Sequence, residues 1–323
     1  DTLDALAVLD LIAAKVRFAR AFDLTCPTLA TDGRLRLNQA RHLLLVDFQR
    51  QAAGAGGPPQ NVVPINLRLG DDFDVLVVTG PNTGGKTVAL KTAALNCAAA
   101  AAGLPVAAAP GCQVPLYRDI LLDIGDEQSL QQSLSTFSAH MKRLLDILAR
   151  ARADTLVLID ELGAGTDPDE GAALGQAIIQ ELLKRRCPAL VTTHLGVLKA
   201  IAYSHPRVQN ACVDFDEETL KPTYHLRIGE PGASNAIHVA ARLGLPPRLV
   251  DAARRHLSQA HEQLARAIRG TLLSRRQAEA ARTEADAARH AADEARRQLE
   301  QQQLALVEKQ QAFDKWVQTI SAL

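Results

Sequence analysis

Lys86 and Thr87 close an eight-residue stretch, Gly80 to Thr87 (GPNTGGKT), that fits the pattern G-x-x-x-x-G-K-[ST]. Gly80, Gly84 and Gly85 allow backbone N–H groups to converge on negative oxygens, with Pro81, Asn82 and Thr83 spanning the loop between them. Lys86 offers a positive charge to the β- and γ-phosphates of a nucleotide, and the Thr87 hydroxyl offers an oxygen ligand to Mg²⁺. The setting supports that chemistry. Val75 to Thr79, before the loop, is apolar and β-branched, as in a buried strand. Val88 to Ala102, after it, is rich in Ala and Leu, as in a helix whose N-terminus adds partial positive charge at the phosphates.

A second group of residues could complete the reaction. Leu156 to Ile159 is an apolar run ending in Asp160 and Glu161, and carboxylates at a strand's carboxyl end sit where ligands bind open α/β sheets. There Asp160 is placed to hold the Mg²⁺ shell and Glu161 to polarise an attacking water. A tight loop, Gly163 to Pro168, follows at once and suits a subunit boundary. Thr192-Thr193-His194 ends the next apolar run; a lone His is most often structural, but at a strand's carboxyl end beside a nucleotide site His194 is expected to be a γ-phosphate or water sensor. Ser133 to Phe137 (SLSTF) lies at the start of a long helix, where its hydroxyls could equally serve as caps.

The elements that must position these residues alternate along the chain. Asp4 to Phe22 has apolar residues at helical spacing, with Thr2 or Asp4 as a possible cap; it reads as the end of a longer arm. Leu43 to Val46 reads as a short strand, Ala53 to Gln60 as a flexible loop and Val62 to Leu69 as a strand. Strands are expected at Val106 to Ala109, Asp119 to Gly125, Thr155 to Ile159 and Ala189 to Thr193, and helices at Leu130 to Arg152 and Asp169 to Arg185. Such alternation implies right-handed crossovers and a largely parallel sheet. Gln209 to Phe215 and Thr223 to Ile228, around an acidic turn, read as an antiparallel addition. After Pro247 the series Ala253, Leu257, Ala260, Leu264 and onward to Ala295 and Leu299 steps by four and three residues. That is heptad spacing, so a coiled coil with an alanine seam is expected, roughly 70 Å long at about 1.5 Å per residue. A single solvated helix is the alternative.

Composition sets the outer bounds. The 323 residues suffice for one large α/β domain and an appendage. Aromatics are only 3%, so the core must be aliphatic. Thirty-six basic residues balance 36 acidic ones, so bulk charge gives no support to nucleic-acid binding. The five cysteines are scattered without a C-x-x-C pair and read as buried thiols of a reducing, cytoplasmic compartment. Asp1-Thr2-Leu3-Asp4 has no basic segment of a signal peptide, the start without Met suggests a piece of a longer chain, and Leu90 to Ala109 is broken by Gly103 and Pro105, so no membrane span is expected.

Glycine loop, serine-rich helix start, Asp-Glu strand end, Gly-Thr-Asp loop and strand-end His occur in that order. The order resembles the ATP-binding-cassette (ABC) class of ATPases, and within it the MutS family. GPNTGGKT, residues 126–141 (DEQSLQQSLSTFSAHM), residues 156–171 (LVLIDELGAGTDPDEG) and TTH are similar to MutS motifs, and Gly229 to Ala252 resembles the family's segment leading into its helical dimerisation region. Mismatch-repair members carry Met at the position of Thr83 and end the loop in Lys-Ser. GPNTGGKT and ELGAGTDP instead look like the second bacterial branch, the recombination-suppressor paralogue, which has a coiled coil and a C-terminal Smr nuclease domain. That nuclease domain is expected to lie outside these residues. One departure is visible: the family's Arg-His-Pro stands here as Arg41-His42-Leu43.

The resemblance implies a P-loop NTPase of the ABC type: a mostly parallel sheet flanked by helices, with a C-terminal long helix or coiled coil. Residues 1–22 would be the end of a lever arm, 23–245 the ATPase domain and 246–323 the dimerisation segment and coiled coil. ATP and Mg²⁺ would be the cofactors. Two chains would pair head to tail, with Ser135 of one reaching the γ-phosphate held by the other. Branched DNA or a stalled ribosome would be the ligand gripped. Rival readings are a mismatch-repair MutS fragment, a structural chromosome-type coiled-coil ATPase, and a nucleotide-binding module without catalysis.

Overall fold

Helix α1 (Thr2–Phe22) is followed by strands β1 (Thr28–Ala30) and β2 (Leu35–Ala40), helix α2 (Leu43–Gly54) and strand β3 (Ile65–Leu69). Strand β4 (Val75–Thr79) then leads through the glycine loop into α3 (Lys86–Ala101), β5 (Gln113–Pro115) and β6 (Asp119–Asp123). Next come α4 (Ser133–Arg150), β7 (Thr155–Ile159), α5 (Pro168–Lys184), β8 (Ala189–Thr192) and α6 (Gly196–Ser204). Strands β9 (Val208–Asp216) and β10 (Lys221–Ile228) and helices α7 (Ala236–Arg242) and α8 (Pro247–His256) complete the order. This computed structural model describes residues 2–54, 62–81, 84–125, 133–216, 221–232 and 236–256, leaving aside the side chains of 133–136 and 221. The coiled-coil expectation after residue 256 lies outside the described residues. The chain divides into two units, Asp1–Leu245 and Pro246–Leu323. In the second, α8 opens with Pro247, whose fixed φ suits a first helical turn, and ends in Arg254, Arg255 and His256, which complement the helix dipole. No described helix is long and apolar enough to cross a membrane.

The architecture is mixed α/β, with helices flanking the sheets. A six-stranded sheet runs β10-β9-β4-β8-β7-β6, parallel throughout except for β10, and a four-stranded sheet runs β1-β5-β2-β3. Every residue of β4, β7 and β8 is buried. Strand side chains alternate between faces, and here both faces are covered. Leu76, Val78, Leu156, Leu158 and Leu190 pack towards α3 and the small sheet. Val75, Val77, Val157, Ile159 and Val191 pack towards α4, α5 and α6, meeting Ile147, Ile179 and Leu198. Lateral register fixes the strand ends: Val78 pairs with Thr192, Ile159 with Val191, and Thr79 with Cys212.

Several expectations change. Leu43 to Val46 is the first turn of α2, because the N–H groups of Leu45 and Val46 both donate to the His42 carbonyl. Leu43 thus holds a helix's first position, which Pro also suits, and this gives the departure from Arg-His-Pro a benign local setting. Val106 to Ala109 is not a strand. Its N–H groups go separately to the Thr25 carbonyl, the Asn96 side chain and the Asn38 carbonyl, and only Val106 makes a bridge. Strand β9 is not part of an addition: it pairs in parallel with β4 from Val208 to Cys212, and only β10 is antiparallel. Thr2 lies inside α1 rather than capping it. Four cysteines are buried as expected, but Cys26 is exposed.

Candidate functional site

Three neighbouring strands end side by side, and each delivers one part of the expected constellation. Strand β4 runs into Gly80, β7 into Asp160 and Glu161, and β8 into Thr193 and His194. At the head of α3 stands Gly85, with φ of 94°, a left-handed conformation that glycine adopts without strain. A Cβ there would also lie 2.9 Å from the ring of Tyr224, so this position requires glycine on two counts. Having no side chain, Gly85 caps none of the first amides of α3. Those orphan N–H groups and the helix dipole suit an anion. The features that would suit a phosphate chain here belong to the backbone.

Lys86 is buried among the strand ends. Its Nζ donates to the Gly80 carbonyl at 2.7 Å and lies 3.4 Å from His194 Nε2. Burial depresses its pKa to about 8, against the pull of the Glu161 and Asp160 carboxylates, with the charge of Lys199 adding to the depression. The Thr87 hydroxyl donates to Asp160 Oδ2 at 2.5 Å. A hydroxyl and a carboxylate oxygen so close together are hard ligands suited to Mg²⁺, which keeps several waters and takes its other ligands from phosphates. Among the described residues no cluster of three or more His, Cys, Asp or Glu could hold a metal by itself.

Asp160 is held on both sides. Its second oxygen accepts from the Thr192 hydroxyl, and its N–H donates to the Asp123 carbonyl at 2.8 Å. Glu161 has a φ of 54°, unusual for a residue with a side chain, which costs about 1–2 kcal/mol in a left-handed conformation. Its N–H donates to Thr192 Oγ1 at 2.8 Å, and the following N–H, of Leu162, donates to the Thr192 carbonyl at 2.9 Å. The turn aims Glu161 at His194, with Oε1 3.6 Å from Nε2. Lys86, His194 and Glu161 thus form a contiguous row across three strand ends.

The structure brings together Gly80, Gly84, Gly85, Lys86, Thr87, Asp160, Glu161 and His194; Pro81 follows Gly80, and its carbonyl accepts from Gly84 N at 3.1 Å. Asn82 and Thr83 lie outside the described residues, as does the side chain of Ser135, whose backbone sits in the first turn of α4. The Gly163 to Asp167 loop ends in an Asp167 cap, whose carboxylate accepts from the N–H groups of Asp169 and Glu170 at the head of α5.

Sequence reasoning missed several contributors. Thr192 carries no signal in the sequence beyond closing an apolar run. Asp123 had no motif to mark it: its buried carboxylate meets His140 Nδ1 and Arg143 Nε, each at 2.5 Å, which ties β6 to α4. Burial pushes that carboxyl up, but the hydrogen bonds from His140 and Arg143 outweigh it and hold the pKa below the usual carboxylate value. Gly232 is far from the glycine loop in the sequence, yet its N–H donates to the Thr79 hydroxyl at 2.7 Å, and a Cβ would come within 2.9 Å of Gly80 N. A cavity of about 450 Å³ opens beside this junction, lined by Gly80, Pro81, His194, Lys199 and Arg227. It reaches His194 but is not lined by Lys86, Asp160 or Glu161; hydrogen bonding, rather than hollow volume, locates the site.

Comparison with known proteins agrees with the order of motifs. MutS domain V matches residues 76–261. The chain is 47% identical over 279 residues to the endonuclease MutS2 of Pelotomaculum thermopropionicum, covering 86% of this chain and 34% of that protein. It is 46% identical over 278 residues to the endonuclease MutS2 of Geobacillus kaustophilus, again covering 86% and 34%. With the putative endonuclease MutS2 of Bacillus subtilis the identity is 44% over 277 residues, with the same coverage of 86% and 34%. The chain thus spans about a third of the length of these curated relatives. A domain match over more than half of the residues, on a chain whose strand ends converge as described, means that the chain belongs to the MutS family, beside its MutS2 members.

Proposed function

We propose that the chain is an ATP-binding and ATP-hydrolysing module, a P-loop NTPase of the ABC type. The observation that carries this reading is the meeting of Lys86, Thr87, Asp160, Glu161 and His194 at three adjacent strand ends, with Thr87 Oγ1 2.5 Å from Asp160 Oδ2. Gly80 to Gly85 and Lys86 bind the phosphates, with Pro81, Asn82 and Thr83 completing the loop. Thr87 and Asp160 would hold Mg²⁺, whose charge would offset that of the phosphates. Glu161 orients a water and accepts its proton as the water oxygen bonds to the γ-phosphorus. The bond to the bridging oxygen breaks, and ADP and phosphate leave. His194, between Lys86 and Glu161, senses the γ-phosphate.

Residues 23–245 form the ATPase domain in this reading, residues 1–22 the end of an arm and residues 246–323 a dimerisation and coiled-coil segment. Two chains pair, each giving Ser135 to the other's site, so that hydrolysis depends on dimer geometry. The cycle clamps branched DNA or a stalled ribosome in the cytoplasm, and an endonuclease activity such as the relatives' names record belongs to the longer protein. The match to MutS2 relatives favours this branch over mismatch repair.

Steady-state hydrolysis by the wild-type chain and by Glu161→Gln tests the reading. Loss of the base should reduce kcat by about 10²–10⁴-fold while nucleotide binding persists. Equal rates in the two proteins would remove Glu161 from the chemistry.

A further inference from the structure

We propose that Thr192 is a positioning residue for both site carboxylates, a role that rests on the ATPase reading above. Thr192 is the last residue of β8, the strand between β4 and β7, and it is fully buried. A hydroxyl has one hydrogen to give and lone pairs to receive. Thr192 gives its hydrogen to Asp160 Oδ1 and receives the Glu161 N–H at 2.8 Å. Thr87 takes the other Asp160 oxygen, Oδ2, at 2.5 Å. The Asp160 carboxylate therefore stands between two hydroxyls, one on each oxygen.

The two hydroxyls differ in what they can do next. In the reading above, Thr87 Oγ1 and Asp160 Oδ2 are the pair that would hold the divalent cation. Thr192, on Oδ1, is left to fix how the carboxylate is turned. The same oxygen pins the amide of Glu161 in its left-handed turn and so sets where the Glu161 side chain leaves the backbone. One hydroxyl thereby fixes the distance between the group that holds the metal and the group that holds the water. Contacts of this kind behind a metal ligand typically change affinity or activity by 10–100-fold when removed.

The test uses Thr192→Val, which keeps shape and β-branching but lacks the hydroxyl, and Thr192→Ser, which keeps the hydroxyl. A fluorescent ATP analogue is titrated onto the 323-residue chain at a series of Mg²⁺ concentrations, and steady-state hydrolysis is measured alongside. For Val we expect the Mg²⁺ needed for half-maximal binding to rise on the order of tenfold and kcat to fall at least as much. Binding without Mg²⁺ should stay within about twofold, because Lys86 and the glycine loop are untouched. Ser should restore both quantities. A Val variant with wild-type Mg²⁺ dependence, or a Ser variant as impaired as Val, would overturn the proposal. Should Val fail to fold, the Ser result decides. If the wild type binds the analogue in a Mg²⁺-dependent way but does not hydrolyse ATP, the ATPase reading fails while the binding titration still judges Thr192.

Discussion

The strand ends around Asp160 and the first helix place polar and apolar groups in opposite ways. At the strand ends Thr79, Thr192 and Thr193 are fully buried, and each hydroxyl has a partner: the Ala211 carbonyl, Asp160 and the Leu162 carbonyl. Helix α1 buries no residue at all. Leu3, Leu6, Leu9 and Ile12 are each exposed by half or more, although their spacing is that of an amphipathic helix. Polar contacts with later parts of the chain hold α1. Arg41 donates to the carbonyls of Phe22 and Asp23, Arg50 donates to that of Ala21 and stacks over the Phe22 ring, and Lys15 reaches the Gly103 carbonyl at 2.8 Å. The last carbonyls of a helix lack partners of their own, and guanidinium groups there satisfy them and the dipole together. The difference teaches that the strand ends are ordered by partnered, buried hydroxyls, while α1 is ordered by polar contacts and leaves its apolar residues exposed.

Stability should show the contrast most strongly. Leu158, in the middle of β7, is fully buried, and Leu158→Ala should lose about 2–5 kcal/mol in urea unfolding. Leu6→Ala on the arm should stay within about 0.5 kcal/mol. Similar losses at the two positions would mean that α1 is packed in solution.

A smaller effect concerns pH. Lys86 has a pKa lowered to about 8, and a bound triphosphate favours its charged form. Below pH 8 the lysine already carries its proton, so nucleotide affinity should be flat. Above it each binding event must take up a proton, and affinity should fall by up to about tenfold per pH unit. Calorimetry from pH 7 to 9.5, in buffers of differing ionisation enthalpy, reads both the slope and the proton. A flat profile to pH 9.5 would mean that Lys86 is not desolvated.

The smallest effect belongs to the arm's joint. Arg41→Ala removes the contacts to Phe22 and Asp23, worth about 1–3 kcal/mol locally. Limited proteolysis near Asp23 should quicken several-fold while nucleotide binding stays unchanged. A fall in binding would show that the arm and the site are coupled through this residue.

Which parts were legible follows the same division. The runs at Val75, Thr155 and Ala189 announce buried strands because both faces of a parallel sheet need Val, Leu and Ile, and the residues closing them are the site. Leu43 to Val46 has the same composition, yet it folds as a helix: four apolar residues cannot show a period, and the His42 carbonyl settles the matter from outside the run. The small sheet was hidden because its strands β1 and β5 are three residues long and pair across more than 80 positions. Thr192 and Asp123 were illegible as site residues for a different reason. Their roles depend on lateral neighbours in the sheet, and strand order is not written in local spacing.

The alternation of β4, β7 and β8 between two cores has a consequence for tolerance. Each strand is keyed to its neighbours like a toothed rack, with Leu76 and Leu158 on one side and Val75 and Val157 on the other. Sliding one strand by a single tooth would advance its tip by about 3.3 Å and exchange its two faces. That step exceeds the 2.5 Å that separates Thr87 from Asp160. The packing of a few aliphatic side chains deep in the sheet therefore helps to fix the alignment of groups several residues away.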